Sequence, residues 1–334
     1  MRINRDTLLV IAQDTVARRV RQERGILSAY LCGSLLGENF LLGGAADIDL
    51  VFIHIDPPAI EREVLRLTDE VHLDIAHYAQ KDFREPRRLR QHAWLGPTIF
   101  SCRVMHDPQH FMDFTQASVR GQFERPDHVL ERSRPQLDHA RQIWSGLVGK
   151  AASFAGQPEV ALYLKAIEHA ANAVACLSGH PLTERRFLLG FSERAEAARR
   201  PGLFPGLLGM LGASHVSQET LRLWLPQWDE TFAALPDTQR PVHLQPARHA
   251  YYLLAFRSLV EGAQPQAVLW PLLRTWTRMV SLLPEGTPGW GAWLSACREL
   301  NLVGDAFSER VAALDAYLDM VDESLDDWAR ANGV

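Results

Sequence analysis

The sequence predicts an α+β protein, with a mixed sheet and helices in its first third and an all-α remainder. Up to Met105, short apolar runs bounded by Gly, Pro or Asp alternate with a helix-spaced segment, which indicates an α/β layer. After Asp107-Pro108, apolar residues recur at helical spacing and strand-like alternation ceases. A chain of 334 residues has room for two domains of ordinary size. The expected layout is one domain over residues 1–115 and a helical-bundle domain over 125–334.

The elements follow in order. Leu8, Leu9, Ala12, Val16 and Val20 mark a first helix, with Asp6 or Thr7 as its cap and Gly25 at its end. Leu27 to Cys32, between Gly25 and Gly33, reads as a buried strand. Ile48 to Ile55 is a second strand, stopped by Asp56-Pro57-Pro58. Ile60, Val64 and Leu67 have helical spacing after the prolines, so a helix is expected over 59–70. Val71 to Tyr78 and Thr98 to Met105 read as third and fourth strands. Further helices are expected over 129–148, 160–177, 218–225, 247–259, 267–283 and 307–328, separated by breakers such as Arg200-Pro201-Gly202.

Composition narrows the function. The 47% hydrophobic and 22% charged content is ordinary for a soluble globular protein. A net charge of −5 argues against nucleic acid as a partner. Cys32, Cys102, Cys176 and Cys297 are far apart, which argues against zinc and a disulfide framework and fits reduced thiols in a cytoplasmic protein. No apolar run reaches the ~18 residues of a membrane span, and Asp6 and Asp14 interrupt any signal-like leader.

The chemistry concentrates on the second strand. Alternation puts Asp47 and Asp49 on one face, while Ile48 and Leu50 point into the core. Two carboxylates on one face repel unless a cation lies between them, and their hard oxygens suit magnesium. Asp74, between Leu73 and Ile75, faces away from the core and joins the pair if its strand is adjacent. Gly33-Ser34 closes the first strand. The glycine permits close approach of a phosphate, and the serine and following turn offer donors to it.

A hydrophobic strand, Gly33-Ser34, the intervening residues 35–46, and then Asp47-Ile48-Asp49-Leu50 together resemble the signature of the nucleotidyltransferase superfamily. That superfamily includes DNA polymerase β-like enzymes, antibiotic nucleotidyltransferases and CCA-adding enzymes. Asp74 matches the third carboxylate of its pattern. The resemblance implies the nucleotidyltransferase fold and two Mg²⁺ ions held by Asp47, Asp49 and Asp74. It implies a nucleoside triphosphate, ATP or another, cradled at Gly33 and Ser34. It implies transfer of the nucleoside monophosphate to a hydroxyl with loss of pyrophosphate, Asp74 helping to deprotonate the acceptor.

In the helical half, Lys165, Glu168 and Asn172 share a helix face. Lys165 looks like the lysine that the helical domain of antibiotic nucleotidyltransferases lends to the triphosphate, and Glu168 like a catalytic base. The alternative is a solvated face with a Lys165–Glu168 pair. Arg185, Arg186, Arg194, Arg199 and Arg200 are mixed with Glu184, Glu193 and Glu196 and read as a solvated face. Trp224, Trp228, Trp270, Trp276, Trp290 and Trp293 read mainly as core, and the acidic residues Asp315 to Asp327 as a wet helix face. His72, His77 and His169 lack metal-ligand spacing and read as structural, His72 alternatively as a neighbour of Asp74.

The resemblance therefore implies an enzyme that moves a nucleoside monophosphate, AMP from ATP being the simplest case, onto a small-molecule acceptor. The alternatives are a non-catalytic, regulatory module of the same fold (antitoxin-like), or a transferase that acts on protein or nucleic acid.

Overall fold

The computed structural model describes residues 3–149, 156–238 and 240–334. The protein is α+β, with a five-stranded mixed sheet and a majority of helix. Its packing divides it into two compact units. The first comprises Met1–His128 and Pro241–Ala255, and the second Val129–Arg240 and Phe256–Val334. Among the described residues, no helix is long and apolar enough to cross a membrane.

The first unit opens with helix α1 (Arg5–Gln22), capped not by Asp6 or Thr7 but by Asn4, whose side chain accepts from Thr7 N at 2.8 Å. Strands β1 (Ile26–Cys32), β2 (Ala46–His54), β3 (Arg62–Arg66), β4 (Val71–Ala79) and β5 (Arg103–His106) form one sheet in the order β3-β4-β2-β1-β5. Only β2 and β4 run parallel; the other pairs are antiparallel. Leu8, Ala12 and Val16 of α1 pack on one face against Leu31, Ile48, Leu50, Phe52 and Leu73. The other face buries Tyr30, Val51 and Ile53 beneath α2 (Pro86–Gln91), α3 (Leu95–Ser101) and α4 (Phe111–Arg120).

Two segments of this unit fold differently from their sequence pattern. Residues 59–70 form no helix; they hold β3 and a hairpin turn, closed by Leu67 N and Thr68 N donating to Val71 O. Ile60, Leu65 and Leu67 are exposed and Val64 alone is buried, so the helical spacing marks no packed face. The open edge of β4 takes up this segment, because pairing satisfies its backbone groups over five residues. The stretch 98–105 is likewise divided. Ile99 belongs to α3 and is buried in the core, and only Arg103–His106 pair with β1.

The segment Pro241–Ala255 carries two single turns, Val242–Leu244 and Pro246–Arg248, and then the start of α10 (His249–Val260). Gly43 shows how closely it packs on the rest of the first unit. Gly43 has φ +63°, and a Cβ there would lie 2.1 Å from Leu254 O.

The second unit holds, among its described residues, helices and no strand. They are the main part of α5 (Pro126–Val148), α6 (Gln157–Ala175), α7 (Phe187–Ala197), α8 (Leu203–Met210), α9 (Gln218–Ala233), the end of α10, α11 (Leu269–Val280), α12 (Pro288–Glu299) and α13 (Ala306–Asn332). Most of the tryptophans singled out in its sequence are core, although Trp290 is half-buried. Trp228, Trp270, Trp276 and Trp293 are fully buried, and Phe187 stacks on Trp270 with ring centroids 3.9 Å apart. Buried indole N–H groups need acceptors. Trp228 donates to Thr275 Oγ1 at 2.9 Å, Trp276 to Thr231 Oγ1 and Trp293 to Thr277 Oγ1 at 3.1 Å each. The acidic face of α13 is answered by cations of the same unit. Arg134 bonds Asp326 at 2.5 Å, Arg141 bonds Asp319 at 2.9 Å, and Arg200 pairs with Asp327.

Thr275→Val keeps the shape and removes the acceptor of Trp228. Taking that acceptor away from a buried N–H costs about 1–3 kcal/mol. The urea midpoint should fall accordingly, and an unchanged midpoint would show that the bond contributes nothing.

Candidate functional site

The parallel pairing of β2 with β4 sets the site. Asp49 stands opposite Asp74, and Asp47 opposite His72. Alternation puts both β2 carboxylates on the face of Val51 and Ile53, beyond the apolar cluster that covers those residues. Ligand oxygens from Asp47, Asp49 and Asp74 all lie within 4.8 Å of one another. Gly33 follows β1 with φ +76° and ψ −161°, a region open only to glycine. Its bare Cα side is filled by the cluster itself, since a Cβ there would lie 1.9 Å from Asp49 Oδ2. Ser34 begins the short turn Ser34–Leu36 just beyond it.

Two arginines hold this charge. Arg62 of β3 grips Asp74 in a two-pronged fork, Nε to Oδ1 at 2.6 Å and Nη2 to Oδ2 at 2.7 Å. Arg248 bridges two carboxylates. Its Nη1 donates to Asp47 Oδ2 at 2.5 Å, and its Nη2 donates to Asp74 Oδ2. The Arg248 guanidinium lies over the Tyr251 ring, 4.7 Å from its centroid. His72 packs edge-on to the same ring, and its Nδ1 is 3.9 Å from Asp47 Oδ1. Strand register sets His72 opposite Asp47, and alternation along β4 puts it on the same face as Asp74.

The electrostatics follow from this geometry. Burial, then repulsion from Asp47 and Asp74, pushes the Asp49 carboxyl up to about 8. Burial acts on Asp74 in the same sense, but the Arg62 hydrogen bonds and the Arg248 charge together hold its carboxyl below the usual range. Burial, followed by Asp49, raises the Cys32 thiol, so Cys32 is no thiolate nucleophile.

The cluster fits a divalent cation by its donor set. All its ligand atoms are carboxylate oxygens, and Asp47 Oδ1, on a residue 4% exposed, has no hydrogen-bond donor among the described residues. A cleft of about 170 Å³ runs beside it, lined by Tyr30, Cys32, Asp49, Arg62, Tyr78 and Trp94. A larger cleft of about 800 Å³ shares Arg62, Ala76, Tyr78 and Leu95 with it. That volume is of the size that holds a small ligand.

Gly33, Asp47, Asp49 and Asp74 are thus brought together in the first unit, whereas Lys165 and Glu168 stand on α6 of the second. Lys165 is exposed. Glu168 pairs with Arg274 at 2.5 Å rather than with Lys165, and burial raises its carboxyl despite that cation. Asn172 shares no wet stripe with them; it is buried and accepts from Leu182 N at 2.7 Å. Sequence reasoning missed Arg62 and Arg248. The first lay in a segment read as helix, and the second is 201 residues from Asp47.

No protein-family model matches this chain, and no curated protein matches it.

Gly33→Ala tests the close approach to Asp49. Forcing alanine into that backbone region costs about 1–3 kcal/mol. The variant should melt lower than the wild type. Gly37→Ala, whose Cβ meets only Ser34 O at 3.5 Å, should not. Equal behaviour of the two variants would contradict this role for Gly33.

Proposed function

We propose that this chain is a magnesium-dependent nucleotidyltransferase. It transfers a nucleoside monophosphate, AMP from ATP in the simplest case, to a hydroxyl of a small molecule. The observation that carries this reading is the convergence of Asp47, Asp49 and Asp74 within 4.8 Å, beside Gly33-Ser34 at the end of β1. Asp47, Asp49 and Asp74 would hold the magnesium. When bound, magnesium supplies neutralisation of charge on the attacking and leaving oxygens.

The chain's own residues do the rest. Gly33 and Ser34 border the position of the phosphates. Arg62 keeps Asp74 ionised and fixed in direction through its fork. The acceptor oxygen attacks the α-phosphorus, the bond from that phosphorus to the bridging oxygen breaks, and pyrophosphate leaves. The hydroxyl proton goes to a carboxylate, for which Asp74 is the candidate. Tyr78 and Trp94 line the adjoining cleft, where an aromatic ring could stack on a base or an acceptor. Lys165 and Glu168 enter this reading only through their resemblance to the lysine and base of antibiotic nucleotidyltransferases.

One observation favours a second reading, a regulatory module of the same fold. Arg62 and Arg248 already neutralise Asp74 and Asp47 without any added ion.

Incubation with α-labelled nucleoside triphosphates, Mg²⁺ and a panel of aminoglycosides, lincosamides and common metabolites separates the two. Label transfer with pyrophosphate release is expected from the wild type. Asp47→Asn should reduce it at least ~100-fold, since metal contacts are worth several kcal/mol in the transition state. Undiminished turnover in Asp47→Asn would contradict the mechanism. No transfer with any pair would favour the regulatory module.

A further inference from the structure

Arg62 and Arg248 touch the same cluster in different ways. The Arg62 fork matches both oxygens of one carboxylate, the geometry that a guanidinium satisfies best. Arg248 gives one nitrogen to Asp47 and the other to Asp74. A group that bridges two carboxylates in this way lies where a hard cation shared by them would lie.

The fit of Arg248 is also incomplete. Arg248 is 3% exposed, yet its Nε has no acceptor among the described residues, and Asp47 Oδ1 has no donor. An unmatched buried donor and an unmatched buried acceptor are each unfavourable. A divalent ion would use the free Asp47 oxygen, which the guanidinium leaves unmatched. The segment that delivers Arg248 is not part of the sheet. It is the single turn Pro246–Arg248 ahead of α10, reaching a cluster otherwise built from adjacent strands.

We infer that Arg248 is a built-in counter-cation of the Asp47–Asp49–Asp74 site, competing with the first divalent metal in the free protein and moving onto the polyphosphate of an incoming nucleotide. This inference rests on the reading of the cluster as a metal–nucleotide site. Charge makes the exchange balanced. Divalent ions displace one positive group from the carboxylates, and a triphosphate supplies the anionic oxygens that the displaced guanidinium needs. Metal and nucleotide then bind together better than either binds alone, because each removes the obstacle to the other.

Manganese binding to the intact 334-residue chain tests this directly. Mn²⁺ is titrated by EPR of the free ion, with and without a non-hydrolysable ATP analogue. In the absence of nucleotide, Arg248→Gln should bind Mn²⁺ about tenfold or more tightly than the wild type, the size expected for losing a competing cation at this range. In the presence of Mn²⁺, the same variant should bind the analogue more weakly than the wild type. A merely structural salt bridge would not produce these opposite shifts. Arg248→Lys keeps the charge and gives up the two-carboxylate bridge, so it guards against a folding failure of Arg248→Gln. It should fall between wild type and Arg248→Gln in Mn²⁺ affinity. Asp47→Asn marks the metal site itself. If Asp47→Asn abolishes Mn²⁺ binding while both Arg248 variants match the wild type, the cluster is a metal site and Arg248 does not compete for it. If none of the proteins binds Mn²⁺, the metal reading falls and this inference falls with it.

Discussion

Carboxylates that share a buried sheet face repel one another, and that repulsion must be offset by positive charge held close by. Asp47 and Asp74 are 4% exposed, and oxygens from both come within 4.8 Å of one from Asp49. In a weakly screening environment such a cluster is unfavourable without cations. The first unit meets this requirement with the Arg62 fork and the Arg248 bridge. The carboxyl of Asp49, which neither arginine bonds, is raised by its burial and then by repulsion from Asp47 and Asp74. A cluster that depends so strongly on positive charge is suited to exchange one cation for another.

The sheet creates this cluster through register rather than through any local motif. The parallel pairing of β2 with β4 sets Asp49 opposite Asp74, and alternation along β2 brings Asp47 to the same face. The antiparallel hairpin of β3 with β4 then sets Arg62 beside Asp74. The opposite face is closed by α1 on Leu31, Ile48 and Leu50, which fixes the directions in which the carboxylates point. Gly33 completes the arrangement by yielding the space of its missing side chain to Asp49. In the second unit, buried indoles bonded to threonine hydroxyls play the corresponding organising role.

Strands β1, β2 and β4 are legible in the sequence because their apolar runs are buried and sharply bounded. The shared face of Asp47 and Asp49 follows from alternation alone. Strand β3 is not legible, because Ile60, Val64 and Leu67 imitate a helix and most of the segment is exposed. Its structure is imposed by the edge of β4, a tertiary demand that overrides local spacing. The division of 98–105 has the same origin, since Ile99 serves a helix and Val104 a strand within one apolar run. Arg248 is beyond local reasoning altogether. Spacing reports which residues share an element, and a cation from 201 residues away leaves no such trace.

On the proposed reading, the three carboxylates form a divalent-cation site on which Arg248 stands in for the ion. Anomalous diffraction from crystals soaked with Mn²⁺ and a non-hydrolysable ATP analogue tests it most directly. The account predicts an anomalous peak ligated by Asp47, Asp49 and Asp74, with the Arg248 guanidinium moved onto the phosphates. Crystals that bind the analogue but show no peak at the cluster, with Arg248 still bridging Asp47 and Asp74, would contradict it.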